Sequence, residues 1–145
     1  MDTAPPPATD PTAKAEALEV SLRDAAERRA ADRAALHEAL TAKYGDDVLD
    51  LEHDGHRAYF LTPPRPEWRR FMKFSSNADK RSGALEELDL GCVVHVGGGA
   101  VPQSREVARE MLNALFDRRP GLAETFGNAL CKKAGLDGEA EAKKL

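Results

Sequence analysis

The sequence predicts an α+β fold that is mainly α-helical, in which a small β-hairpin follows a long N-terminal helix. Residues 12–44 contain neither glycine nor proline and are dominated by strong helix formers. Residues 47–62 place two β-rich runs on either side of the pair Asp54-Gly55, which favours a hairpin turn. Apolar residues recur at helical spacing through most of the chain after the hairpin. The 145 residues suffice for one domain with its own core.

The N-terminal part combines a short leader with the long helix. Residues 1–11 are rich in Pro, Ala and Thr and are predicted to be a disordered leader. The helix over 12–44 ends at Gly45, which is a typical C-cap. Its apolar seam is thin, so this helix is either mostly exposed or packs fully only against a partner. The seam consists of Leu18, Leu22, Ala25, Ala26, Arg29, Leu36 and Leu40.

Three further helices are predicted after the hairpin, over 66–94, 103–117 and 122–133. Pro66 suits the first turn of the first of them. Within it, Ser75-Ser76-Asn77 weakens the pattern, and Val93–Val96 fits either a last helical turn or a short strand. We predict a single domain over 12–134 and a flexible tail over 135–145.

The large apolar side chains at helical spacing define the predicted core. Aromatic residues are only 6% of the chain, so the few rings present are expected to anchor the packing. Truncating a buried Trp68 would then cost about 3–5 kcal/mol. The predicted structural core is Trp68, Phe71, Leu85, Leu88, Cys92, Met111, Leu115, Phe126 and Leu130.

Composition and charge restrict the class of function. The net charge of −4 argues against a general nucleic-acid binder. The two cysteines lie in apolar helical patterns, which indicates reduced, buried thiols and a cytoplasmic setting. The N-terminus lacks the basic and apolar regions of a signal peptide, and no apolar run is long enough for a membrane span.

No motif of a catalytic, cofactor or metal site stands out. A zinc site assembled from Cys92, His95, His53, His56 and Cys131 would lack the two clean ligand pairs of structural zinc sites. A Cys92–His95 dyad would place its thiol on an apolar face, where it is inert. The triplet at 97–99 matches neither glycine-rich phosphate-binding motif and is expected to be a loop. We therefore expect no enzyme activity, no cofactor and no metal.

The strongest candidate for binding is a basic run over residues 65–81. It contains six basic and two acidic residues, a balance of 6 − 2 = +4. Aromatic residues are interleaved with the bases, which suits an acidic protein surface or a nucleic acid. The acidic chain as a whole favours protein, with Phe74 as an exposed anchor. The predicted partner-binding residues are Arg69, Arg70, Lys73 and Phe74.

The order of these segments resembles small tail assembly chaperones of tailed bacteriophages and phage-derived particles. The resemblance covers about residues 36–130 and runs through PPRPEWRRFMKF, ALEELDLGCVVHV and LFDRRPGLAETFGNAL. The long charged helix before residue 36 and the glycine triplet depart from the family pattern. The positions that carry the resemblance are Pro66, Trp68, Phe71, Leu88, Cys92, Val93, Val94, Pro120, Gly121 and Leu122.

The resemblance implies a non-enzymatic protein of the bacterial host cytoplasm that coats the largely helical tape measure protein during tail assembly. Such a chaperone keeps its client soluble and is absent from the mature particle. Self-association is also compatible with the thin helical seam. Two alternatives remain. One is a small nucleic-acid-binding or regulatory protein that uses the basic helix over 65–81. The other is a structural adaptor retained in the particle.

Overall fold

A three-stranded antiparallel sheet and five helices form the described part of the chain, residues 11–135 of a computed structural model. The predicted fold class, mainly helical α+β with a hairpin after a long N-terminal helix, is confirmed. Most of the predicted leader and tail lies outside the described residues. The elements are α1 (Pro11–Tyr44), β1 (Val48–His53), β2 (His56–Leu61), α2 (Arg65–Ser75), α3 (Ala78–Cys92), β3 (Val93–Val96), α4 (Arg105–Arg118) and α5 (Gly121–Lys133).

The hairpin turn adopts the conformation that its sequence favours. Asp54 and Gly55 have φ angles of 52° and 80°, and positive φ at both central residues is the signature of a type I′ turn. The register pairs Val48 with Leu61 at one end and His53 with His56 at the other. β3 then pairs antiparallel with the other edge of β2, so the sheet order is β1-β2-β3.

The prediction of one helix over 66–94 needs correction, because this stretch forms two helices and a strand. α2 ends at Ser75, and Asn77 starts α3 as an N-cap whose side chain accepts a hydrogen bond from the Asp79 amide at 3.0 Å. The β-branched Val93–Val96 forms β3. The reason is tertiary, since β2 offers an unpaired edge that these residues complete.

The main core lies where α2, α3, α4 and α5 pack against the sheet. The rings of Phe60 on β2 and Phe126 on α5 lie 5.5 Å apart at its centre. Trp68 is half-buried and packs against this core from α2. Seven of the nine residues predicted as core are buried: Phe71, Leu85, Leu88, Cys92, Leu115, Phe126 and Leu130.

Of the other two, Trp68 is half-buried and Met111 is exposed, so the assignment of Met111 to the core needs correction. Its side chain is 42% exposed, and Val107, one turn earlier, is 43% exposed. The buried stripe of α4 runs instead through Ala108, Leu112 and Leu115. Both stripes have helical spacing, so periodicity alone could not fix which one faces the core.

The buried residues of α1 lie at its C-terminal end. Leu36 and Leu40 are buried against Tyr59 of β2 and Val94 of β3 in a second, smaller cluster. Residues 11–35 are exposed, apart from a half-buried Ala25, and we call this segment the arm. At 1.5 Å per residue the arm is about 37 Å long. In the described range 11–135, none of the helices combines the length and apolar content of a membrane span.

Candidate partner-binding face

The aromatic side chains of α2 determine which side of this helix faces solvent. The rings of Trp68 and Phe71 lie 5.3 Å apart on the side that meets the core. Arg69, Arg70 and Lys73 lie on the remaining surface of the helix and are exposed. The structure therefore brings the three predicted basic residues together on one solvent-facing surface.

Phe74, the predicted anchor, lies at the edge of a groove between α2 and α3. Its side chain is 38% exposed, and the ammonium of Lys80 lies 5.5 Å from its ring centroid. The groove has a volume of about 360 Å³. The residues that line it are Phe74, Asp79, Lys80, Gly83, Ala84 and Glu87.

Gly83 keeps this groove open. It lies inside α3, where glycine costs about 0.5–1 kcal/mol relative to alanine. A Cβ at this position would meet nothing within 4 Å, so the space above the helix backbone is empty. A partner side chain or helix could therefore approach α3 closely at this point.

The charges of this face are mixed. The exposed bases of α2 form a ridge, whereas Asp79 and Glu87 line the groove beside it. Arg70 is partly neutralised by Glu67, whose carboxylate lies 3.4 Å from its guanidinium. A ridge of one sign beside a groove that contains the other sign favours an amphipathic partner with both acidic and basic residues.

Cys92 and His95, the pair weighed above as a dyad, are both buried and held by the packing of the domain. Burial, followed by the nearby Glu67 and Asp89, raises the pKa of Cys92 to about 12, so its thiol is protonated at neutral pH. Nδ1 of His95 accepts a hydrogen bond from the Gln103 amide at 3.2 Å. Nε2 of His95 then donates to the Gly98 carbonyl at 2.9 Å. Both ring nitrogens of His95 are therefore engaged in hydrogen bonds to the backbone.

The ligands considered for zinc do not come together. Within residues 11–135 no three His, Cys, Asp or Glu side chains are placed to hold a metal ion. Cys92 and Cys131 are buried in the main core, whereas His53 and His56 lie at the tip of the hairpin.

Asp89 is a buried ionisable residue that was not among the predicted site or core residues. It is fully buried on α3, and its carboxyl oxygens form no hydrogen bond with any residue of the described range 11–135. Burial, with a smaller contribution from Glu86, raises its pKa to about 9, so the carboxyl is protonated at neutral pH. The burial of Asp89 could have been predicted from the sequence. It lies four residues after Leu85 and three before Cys92, so it shares their apolar stripe on the helix.

No family model and no curated protein matches this chain. Among solved structures, the chain is similar to an uncharacterised protein of Bacillus stearothermophilus, with a TM-score of 0.54 and 23% sequence identity. The similarity covers 68% of this chain and 91% of that one. At this identity the likeness concerns the fold alone.

Proposed function

We propose that this protein is a non-enzymatic tail assembly chaperone of a tailed bacteriophage or phage-derived particle. It binds the tape measure protein in the host cytoplasm, keeps it soluble and leaves before the particle matures. The observation that carries the proposal is the open groove at Phe74 beside the basic ridge of α2. This helix also holds Pro66, Trp68 and Phe71, on which the sequence resemblance depends.

The geometry suits a helical client. A groove between two helices can accept the apolar stripe of a third helix, which is a common mode of peptide recognition. Phe74 offers an exposed ring at the edge, and Gly83 leaves the floor open. The surface is small and partly polar, so binding is expected to be moderate in strength and reversible. A chaperone that must be displaced by other tail proteins requires such reversible binding.

The proposal is tested by co-expressing the tagged protein with the tape measure protein encoded in the same phage genome, followed by pull-down. We expect a soluble complex, with the client insoluble when expressed alone. Phe74→Glu should abolish recovery of the complex. Met111→Glu is the matched control, because it places the same charge on another exposed apolar residue, on α4. Failure to recover the client with a folded wild-type protein would contradict the proposal.

A second candidate is a nucleic-acid-binding protein, favoured by the exposure of Arg69, Arg70 and Lys73 on one surface. This function predicts retention on DNA or RNA that falls steeply with salt concentration. Arg69→Glu combined with Arg70→Glu should abolish that retention. No retention at low salt would exclude this candidate.

A structural adaptor differs from a chaperone in its fate. An adaptor remains in the assembled particle, whereas a chaperone leaves it. Mass spectrometry of purified particles distinguishes the two, since only the adaptor would be detected there.

A further inference from the structure

A second cleft, of about 290 Å³, lies where the arm passes over the hairpin and the loop after β3. Arg29 and Arg33 of α1 and Arg57 of β2 line it, together with the glycine loop Gly97–Gly99. These residues are far apart in sequence. They meet because Leu36 and Leu40 fix the C-terminal end of α1 on the sheet, so that the preceding turns of α1 overhang the loop.

The glycine loop is held in place by hydrogen bonds yet leaves open space above it. The Gly97 amide donates to the Arg57 carbonyl at 2.8 Å, and the Gly98 carbonyl accepts from His95 at 2.9 Å. Gly97 and Gly99 have φ angles of 85° and 103°, which favour glycine. A Cβ at any of the three positions would meet nothing within 4 Å.

Two backbone donors of this loop make no hydrogen bond within residues 11–135. The amides of Gly98 and Gly99 donate no hydrogen bond to any residue in the described part of the chain. Loops with alternating signs of φ present their amides as an anion-binding concavity. The two glycines whose amides make no hydrogen bond to residues 11–135 thus lie among the residues that line the cleft.

The arginines supply positive charge, although not all of it is available. Arg57 is paired with Asp50 at 3.0 Å and also with Glu52. Arg29 and Arg33, one turn apart, form no ion pair within residues 11–135. Asp32 and Glu52 also line the cleft. Because Arg57 is paired with both Asp50 and Glu52, the positive charge open to a ligand is that of Arg29 and Arg33, beside the carboxylate of Asp32.

Arg29 and Arg33 lie on the side of α1 where apolar residues would be expected. Leu36 lies seven and three residues after them, so all three side chains occupy the side of the helix that meets the domain. Apolar residues would ordinarily continue the seam there. Guanidinium groups without a carboxylate partner, facing a cleft with spare amide donors, are the chemistry that recognises an oxyanion.

We propose that this cleft binds the phosphate group of a small molecule. Arg29 and Arg33 provide the charge, and the amides of Gly98 and Gly99 provide directed hydrogen bonds. The overhanging helix favours a small phosphorylated molecule over a continuous nucleic-acid strand, which needs an open track. The proposal uses a surface other than the groove at Phe74 and does not depend on the proposed chaperone function.

The test is calorimetric titration of the protein with inorganic phosphate and with pyrophosphate at constant ionic strength. We expect saturable binding, tighter for pyrophosphate. Arg33→Ala should weaken it about tenfold, the equivalent of one charge-assisted hydrogen bond. Arg28→Ala is the matched control, because Arg28 is also exposed on the arm but does not line the cleft. Its affinity should stay within about twofold of wild type.

A second variant tests the floor of the cleft. Gly98 does not require positive φ and has open space above it, so Gly98→Leu should fold and fill the cleft. Circular dichroism checks folding of each variant. No saturable binding of either anion by the wild type would overturn the proposal. So would an equal loss in Arg28→Ala and Arg33→Ala, which would indicate non-specific attraction, or unchanged binding in Gly98→Leu.

Discussion

The Cβ that Gly127 lacks would lie 2.8 Å from the Cβ of Leu85. Gly127 is buried on α5 and Leu85 is buried on α3, so this contact sets how closely the two helices approach. The close approach lets Phe126, next in sequence, reach the ring of Phe60 across the core. The packing of the helical layer on the sheet therefore depends on the absence of a side chain at one position.

Adding a methyl group at Gly127 should destabilise the protein. Gly127→Ala forces the helices apart, because the obstructing atoms include the Cβ of Leu85, which cannot rotate away. We expect a loss of about 1–3 kcal/mol in the free energy of unfolding. Gly83→Ala is the control, since open space surrounds that position, and it should gain about 0.5–1 kcal/mol from helix propensity. Urea denaturation measures the free energy of unfolding of both variants. Equal changes in Gly127→Ala and Gly83→Ala would contradict the close packing inferred at Gly127.

Two leucines of α1 should differ sharply in their contribution to stability. Leu36 is 1% exposed and Leu22 is 57% exposed on the same helix. Leu36→Ala should cost about 2–5 kcal/mol, whereas Leu22→Ala should stay within about 0.5 kcal/mol. Thermal unfolding at low protein concentration compares the stability of each variant with that of the wild type. A large loss in Leu22→Ala would mean that the arm packs against another surface in solution.

The buried carboxyl of Asp89 should make stability depend on pH. Its folded-state pKa, about 9, lies above the unfolded value of about 3.9. Between these values the folded state holds a proton that the unfolded state has released, so stability should fall as pH rises from about 4 to 9. Asp89→Asn keeps the shape of the side chain and removes the titration.

The stability difference between Asp89→Asn and wild type should therefore shift in favour of the variant as pH rises from about 5 to 9. Denaturant unfolding across this range isolates the contribution of Asp89, because the other titrating groups are common to both proteins. A difference that is independent of pH would show that Asp89 is ionised in the folded state or solvated by water.

Local sequence signals predicted the elements whose cause is local. Asp54-Gly55 specifies its own turn, and the absence of glycine and proline over 12–44 specifies α1. The sequence could not show that Val93–Val96 would pair with β2, because the pairing edge lies more than 30 residues away. Likewise, the stripes of α4 that contain Met111 and Leu112 are alike in period, and only the packing of neighbouring elements distinguishes them.

The two candidate binding surfaces also differ in whether their residues are neighbours in sequence or are brought together by the fold. The bases of α2 and Phe74 are neighbours in sequence, so their clustering could be predicted. The cleft under the arm joins Arg33, Arg57 and the glycine loop, which no sequence spacing relates. The glycine triplet alone matched no phosphate motif, and its proposed role depends on arginines that the fold brings to it.

Hydrogen exchange of the protein with and without the tape measure protein tests the central proposal most directly. If the groove at Phe74 holds a client helix, amides of α2 and of the first two turns of α3 should become protected, while those of α4 around Met111 stay unchanged. Phe74→Glu should remove this protection. A soluble complex with protection only outside α2 and α3, or no change in exchange with excess client, would contradict the proposed binding face.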